Sequence, residues 1–107
     1  MMYDLDCRYD TRKSFYGKAV VEEQEDDIAR TLHLLSYNTF VANIVYYKQN
    51  NRVVYEYFGK YSQTTTRHQK EFFRQNGLSE REIKELMKTG QDKALTIYYN
   101  ERKYIGV

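Results

Sequence analysis

The chain has 107 residues, the size of one small domain, and 41% of them are hydrophobic, which excludes a disordered tail. Its 17 basic and 15 acidic residues leave a net charge of +2, so neither a histone-like nucleic-acid binder nor an acidic DNA mimic is indicated. Proline is absent, whereas tyrosine occurs 12 times. We therefore expect a single domain over residues 1–107.

The first third of the chain carries strand patterns broken by one acidic run. Aromatic and β-branched residues predict a strand over Ser14 to Val21, with a bulge or a close backbone approach at Gly17. The run Glu22 to Asp27 holds five acids and is predicted to be an exposed turn, because like charges repel in a regular strand. The segment Ile28 to Leu35 has both helical and alternating spacing, and we favour a strand from about Arg30.

A hairpin is predicted in the middle of the chain. The segments Thr39 to Tyr47 and Arg52 to Lys60 are both rich in Tyr, Val and Phe, which favour strands. The Asn50-Asn51 pair between them tolerates the positive φ of a tight turn. Residues 36–38 are interpreted as a kink or short turn before this hairpin.

Two short helices are predicted after the hairpin. A threonine of the run 64–66 is expected to cap the first helix, and Gly77 is expected to end it. The second helix begins with the capping box Ser79-x-x-Glu82 and ends at Gly90.

A last strand is predicted over Ala94 to Tyr99, with a turn at Asn100-Glu101 that leads back into Lys103 to Ile105. The chain shows no repeat and no linker. The predicted fold is therefore α+β, an antiparallel sheet of about four or five strands packed by two short helices.

Metal and cofactor sites are not expected. Cys7, His33 and His68 are the only Cys and His residues, and they are far apart in the sequence. No apolar run approaches the length of a membrane span, and the acidic N-terminus does not have the pattern of a signal peptide. We therefore expect a protein of the cell interior.

The segment Ser62 to His68 has two interpretations. Hydroxyls and free N–H groups at a helix start can bind an anion, with Thr65, Thr66 and Arg67 as candidates. Alternatively, the hydroxyls cap the helix and His68 packs below the sheet. A Ser62–His68 arrangement with Glu71 is a distant enzymatic option; no catalytic motif accompanies it, and we predict no catalytic residue.

A basic stripe and a set of tyrosines are the other candidate binding features. Arg67, Lys70 and Arg74 share one helical stripe and, together with basic residues of the hairpin, could contact nucleic acid. Alternatively, this stripe is a solvated face of the helix. The second helix, with mixed charges, is interpreted as solvated. Tyrosine is enriched where proteins meet. The tyrosines predicted to bind a partner are Tyr46, Tyr47, Tyr57, Tyr98 and Tyr99.

Three sequence blocks point to a family. Residues 14–19 read Ser-Phe-Tyr-Gly-Lys-Ala, residues 36–42 read Ser-Tyr-Asn-Thr-Phe-Val-Ala, and residues 61–68 read Tyr-Ser-Gln-Thr-Thr-Thr-Arg-His. Over residues 8–78 the chain resembles a group of small phage- and plasmid-borne accessory proteins. The resemblance implies a mobile-element protein inside a bacterial cell, of a kind that often inhibits host machinery or defence. It implies no particular biochemical activity.

Two functions follow as expectations. The first is a non-enzymatic accessory protein in the bacterial cytoplasm that binds and blocks a host protein, such as a CRISPR nuclease, through a tyrosine-rich surface. The second is a small nucleic-acid-binding module that uses the basic helix and adjacent tyrosines. Basic side chains gathered on one continuous face would favour nucleic acid as the ligand, whereas a tyrosine patch away from the basic side chains would favour a protein partner.

Overall fold

The computed structural model describes residues 1–99, and the structural statements below refer to them. Six antiparallel strands form one sheet in which each strand lies beside its neighbours in sequence. The strands are β1 (Met2–Asp4), β2 (Ala19–Glu25), β3 (Ala29–Ser36), β4 (Thr39–Tyr47), β5 (Arg52–Tyr57) and β6 (Lys93–Tyr98). Two helices, α1 (Gln63–Gln75) and α2 (Glu80–Met87), lie between β5 and β6 in the chain.

The predicted α+β class, with an antiparallel sheet and two helices, is confirmed. The sheet has six strands rather than four or five, and the short strand β1 was not predicted. The expected turn at Asn100-Glu101 and the strand Lys103 to Ile105 lie outside the described residues.

Both helices pack on the same face of the sheet. Alternate side chains of the central strands are buried there, among them Leu32, Leu34, Ile44, Tyr55 and Tyr57. The helices close this core with Phe72, Phe73, Ile83 and Leu86. In residues 1–99 the opposite face of the sheet carries no helix, and we call it the open face.

Residues with positive φ make the two tight turns that flank β4. Tyr37 and Asn38 have φ of 51° and 67°, and they join β3 directly to β4. Asn50 and Asn51 have φ of 71° and 51° before β5. Asparagine tolerates this region better than most residues, so the predicted hairpin turn at Asn50-Asn51 is confirmed.

The acidic run at residues 22–27 was predicted to be an exposed turn. This prediction is wrong for residues 22–25, because they belong to β2. Glu23 is paired with Arg30 of β3, with 3.0 Å between Oε2 and Nε, and Glu25 Oε2 lies 2.8 Å from Lys48 Nζ. The hydrogen bond from Arg30 lowers the pKa of the Glu23 carboxyl. Because successive strand residues point to opposite faces, the acids are separated and two of them are neutralised by cations from elsewhere in the chain.

The predicted strand start at Ser14 is also wrong, because the chain turns before β2. Ser14 Oγ accepts a hydrogen bond from the Tyr16 N–H at 2.8 Å, and the Lys18 N–H donates to the Phe15 carbonyl at 3.0 Å. Tyr16 and Gly17 have φ of 53° and 74°. Gly17 therefore serves a turn and not a strand bulge.

The predicted capping residue is wrong for α1, whereas the predicted capping box is correct for α2. Ser62, not a threonine, caps α1, since its Oγ accepts from the Thr65 N–H at 3.1 Å. The predicted capping box of α2 is confirmed: the Glu82 N–H donates to Ser79 Oγ at 3.2 Å, and the Ser79 N–H donates to Glu82 Oε1 at 2.8 Å. Gly77 follows α1 with φ of 102°, as expected for a residue that ends a helix.

Candidate functional site

A groove of about 870 Å³ lies between α1, α2 and the N-terminal segment 9–11. This volume falls in the range of pockets that bury a small ligand. Its basic lining side chains are Lys60, Arg67, Lys70, Arg74, Lys84 and Lys88. Its acidic ones are Asp10, Glu71 and Glu80. The groove therefore carries a positive net charge, and the buried Tyr57 and Ile83 add apolar surface to it.

Most of the groove cations have no acidic partner. Arg67 Nε lies 3.5 Å from Asp10 Oδ2. Among residues 1–99, no carboxylate oxygen lies within 4.0 Å of a nitrogen of any of the other five. Unpaired cations gathered in one recess reinforce one another's field and attract anions.

Glu71 holds the N-terminal segment against α1. Its Oε1 accepts hydrogen bonds from the backbone N–H groups of Arg8, Tyr9 and Asp10 at 3.2, 2.9 and 2.9 Å. Gln75 Nε2 donates to the other oxygen at 2.6 Å. Converging donors thus compensate the charge of this buried carboxylate, and the segment becomes a fixed wall of the groove.

Tyr9 lies in that wall and stacks on an arginine of α1. The Arg74 Cζ lies 4.8 Å from the centroid of the Tyr9 ring, and Tyr9 as a residue is 59% exposed. Arg74 Nη1 donates to the Leu78 carbonyl at 3.2 Å. Arg74 Nε is buried without a hydrogen-bond partner in the described part of the chain.

Four of the five residues predicted to bind an anion line this groove. They are Thr66, Arg67, Lys70 and Arg74. Thr65 does not, because it is buried and its Oγ1 lies 2.8 Å from Ser36 Oγ. The predicted residues are therefore brought together along the side of α1 rather than around its N-terminus.

His68 is buried in the core and is not paired with Ser62. Its Nδ1 lies 2.8 Å from Ser36 Oγ, and the Phe15 ring packs against it with centroids 4.5 Å apart. Burial lowers the pKa of His68, which favours the neutral imidazole. Both Glu71 oxygens accept hydrogen bonds from other donors, as described above.

The predicted partner-binding tyrosines do not share one surface. Three of them lie on the helix-covered side. Tyr46 Oη donates to Asn76 Oδ1 at 2.9 Å, and burial raises the pKa of Tyr46 to about 12. Tyr57 is buried in the core, and Tyr99 Oη lies 3.0 Å from Tyr55 Oη.

Tyr47 and Tyr98 lie on the open face, on either side of Arg52. The Arg52 Cζ lies 4.0 Å from the Tyr47 ring centroid, and Tyr98 is the register partner of Arg52 on β6. Arg52 Nε is buried without a hydrogen-bond partner in residues 1–99. Val45 and Val54, paired across β4 and β5, extend this neutral surface.

Some groove residues were missed because only the tertiary fold brings them there. The cations of α2 were interpreted as solvated, yet Lys84 and Lys88 line the groove. Their i, i+4 spacing places Lys84 of α2 and its C-cap residue Lys88 on one side of the helix, and this was the available signal. Tyr9 and Glu71 carried no signal, because their contact joins residues 62 positions apart in the chain.

Comparison with protein families gives one match. A model described as "Family of unknown function (DUF8033)" matches residues 3–88. The chain belongs to this family. The DUF8033 match includes all six cations of the groove. Comparisons with curated proteins and with solved structures give no match.

Residues 1–99 contain neither a membrane-spanning helix nor a cluster of metal-ligating side chains. None of the helices there has the length and apolar character needed to cross a membrane. No group of three or more His, Cys, Asp or Glu side chains in that range could hold a metal ion.

Proposed function

We propose that this chain binds the sugar-phosphate backbone of nucleic acid in the groove between α1 and α2. The observation that carries the proposal is the set of six cations in one groove, five of them without a carboxylate within 4.0 Å. Phosphate contacts of Lys and Arg supply most of the affinity in non-specific nucleic-acid binding.

The distribution of the cations favours a chain of phosphates over a single anion. Lys60 follows β5, three cations belong to α1, Lys84 belongs to α2, and Lys88 is the C-cap residue of α2. Both helical walls of the groove are thus basic. One phosphate engages only a few donors, whereas successive phosphates of a strand can use cations on both walls.

The test is an anisotropy titration of labelled DNA and RNA oligonucleotides at several salt concentrations between about 50 and about 200 mM. We expect log K to fall linearly with log salt. The triple variant Lys70→Gln, Lys84→Gln, Lys88→Gln removes three of the unpaired groove cations. Because each lost phosphate contact reduces the salt slope by about 0.7 to 0.9, we expect the slope to fall by about 2 to 3.

The matched control is the variant Lys13→Gln, Lys18→Gln, Lys93→Gln, which makes the same charge change at exposed positions outside the groove. It should keep the wild-type slope. Equal loss of binding in the two variants would show that overall charge, and not the groove, attracts the ligand. No binding of any oligonucleotide at low salt would exclude the proposal altogether.

The biological setting is also a proposal. We propose that the chain is a phage- or plasmid-borne accessory protein acting in the bacterial cytoplasm. The support is the resemblance of the blocks at residues 14–19, 36–42 and 61–68 to such proteins.

A second candidate function is inhibition of a host protein, with a CRISPR nuclease as the first to test, through the open face. The support is the Tyr47, Arg52 and Tyr98 cluster, whose arginine has an unpartnered Nε and, within residues 1–99, no carboxylate oxygen within 4.0 Å of its side-chain nitrogens. A partner segment that presents an Asp or Glu carboxylate between apolar side chains would complement this cluster. Tyr and Arg are also the residues most enriched in interface hot spots.

We expect Tyr47→Ala and Tyr98→Ala each to weaken binding to a purified nuclease complex by about 2 kcal/mol, as central tyrosines do in interfaces. The exposed Tyr16→Ala is the matched control, since Tyr16 lies in the turn before β2. Surface plasmon resonance with the purified complex measures the effect. Unchanged binding of both open-face variants would exclude this surface.

A further inference from the structure

We infer that the groove takes a single strand of nucleic acid and that one of its bases stacks on Tyr9. This inference rests on the proposed function and adds to it the strandedness of the ligand and a residue that selects for it. Tyr9 is the aromatic residue of the groove lining that combines a large exposed surface with a position beside the cations.

The surroundings of the Tyr9 ring leave surface free for a base. The Arg74 guanidinium stacks on the ring, yet the tyrosine remains 59% exposed. This exposed residue lines a groove whose walls are basic. This pairing of a stacking platform with nearby phosphate-binding cations is how proteins hold single strands.

The backbone that carries the ring is also held in place before any ligand arrives. The N–H groups of Tyr9 and of both its chain neighbours donate to Glu71 Oε1, and Glu71 is only 2% exposed. The backbone that carries the ring is thus anchored to α1. Binding to a preformed platform avoids the entropy loss of ordering a loop.

The concave shape of the site argues against a duplex. Proteins that read duplex DNA insert a protruding helix or β-ribbon into a major groove about 12 Å wide. Here the cations line a recess between two helices instead. Stacking on Tyr9 also requires a base with a free face, and bases inside a duplex are covered by their neighbours.

The experiment compares ligands that share phosphate chemistry. Labelled single-stranded DNA, a duplex of equal phosphate number, an abasic strand of equal length and a mononucleotide are titrated against the wild-type chain. We expect the single strand to bind about tenfold more tightly than the duplex or the abasic strand, because base stacking is lost in both. The mononucleotide should bind most weakly, because it offers a single phosphate group.

The variants are Tyr9→Leu and Tyr9→Phe, with Tyr61→Leu as the control. Tyr61 is 52% exposed and does not line the groove. We expect Tyr9→Leu to raise Kd for the single strand about tenfold while the salt slope is unchanged, because stacking and not charge is lost. Tyr9→Phe keeps the ring and should bind like the wild type, as should Tyr61→Leu.

Equal affinity for single strand and duplex would overturn the inference, and so would equal affinity for the intact and the abasic strand. Both results leave the proposed function standing, provided that the groove lysines still set the salt slope. Binding of the mononucleotide as tightly as the strand would also overturn it, in favour of a free-nucleotide site. The ligand comparisons use the wild-type chain, so they decide the matter even if Tyr9→Leu fails to fold.

Discussion

Two arginine–tyrosine stacks lie on opposite sides of this molecule. Arg74 stacks on Tyr9 in the groove at 4.8 Å, and Arg52 stacks on Tyr47 on the open face at 4.0 Å. In each case the arginine Nε is buried without a hydrogen-bond partner in residues 1–99. The two pairs are therefore similar in their local chemistry, and their surroundings distinguish them.

The groove stack is surrounded by five other cations, whereas the open-face stack lies among valines, threonines and Tyr98. A multiply charged ligand gains from several cations at once, and an isolated arginine among neutral side chains suits one carboxylate of a protein. The comparison teaches that the same residue pair indicates different ligands in different electrostatic settings.

Among the changes that affect the groove and not the open face, Glu71→Ala is expected to have the largest effect. This change removes the acceptor of three backbone N–H groups and frees the segment that carries Tyr9. Because a hydrogen bond to a charged group contributes about 1.5 to 3 kcal/mol, we expect the free energy of unfolding to fall by about 3 kcal/mol. Urea unfolding measures the loss, and anisotropy should show weaker oligonucleotide binding by the folded protein.

The matched control is Glu56→Ala on the open face. Glu56 is partly exposed and pairs in register with Asn43 and Ala94. Its removal should change the free energy of unfolding by no more than about 0.5 kcal/mol. If Glu71→Ala were equally mild, or left oligonucleotide affinity unchanged, the N-terminal segment would not be a wall of the binding site.

A change of pH is expected to have the smallest effect on the free energy of unfolding. It acts on the helix-covered side of the sheet, through protonation of the His68 imidazole. Burial lowers its pKa below the ordinary value of 6.5. The unfolded chain therefore binds a proton more readily than the folded one, and the free energy of unfolding should decrease as pH falls below about 6.5. Above that value this contribution should be constant.

Urea midpoints of the wild type and of His68→Gln, recorded from about pH 5 to about pH 8, test this expectation. The variant should lose the part of the pH dependence that lies below about 6.5. An identical pH profile in both proteins would show that another group is responsible.

Local signals in the sequence were sufficient for the two turns that flank β4 and for one helix start. The Asn50-Asn51 turn and the Ser79–Glu82 capping box depend on residues within a few positions of each other. The α+β class followed from the same kind of local pattern. The prediction of a turn at residues 22–25 was wrong because their charges are compensated from outside the segment. Arg30 and Lys48, which pair with Glu23 and Glu25, come from later parts of the chain.

The candidate site was predictable only in part. The stripe Arg67, Lys70 and Arg74 was visible from helical spacing alone, and the structure places it in the groove. The opposite wall was not visible, because Lys84 joins it only through the packing of α2 beside α1. The alternation of Tyr46 and Tyr47 indicated opposite faces, but it could not tell which face the helices cover.

The contacts of this fold differ in how far apart in the sequence their residues lie, and β6 takes part in the long-range ones. β2 to β5 are joined by short turns, and the Arg52–Tyr47 stack lies within one such hairpin. β6 returns to β5 only after both helices, and Glu71 contacts residues more than 60 positions away. The entropy cost of closing a loop rises with its length. The Arg52–Tyr47 stack thus belongs to the local, quickly formed part of the fold, whereas Tyr98 and the groove belong to its long-range part.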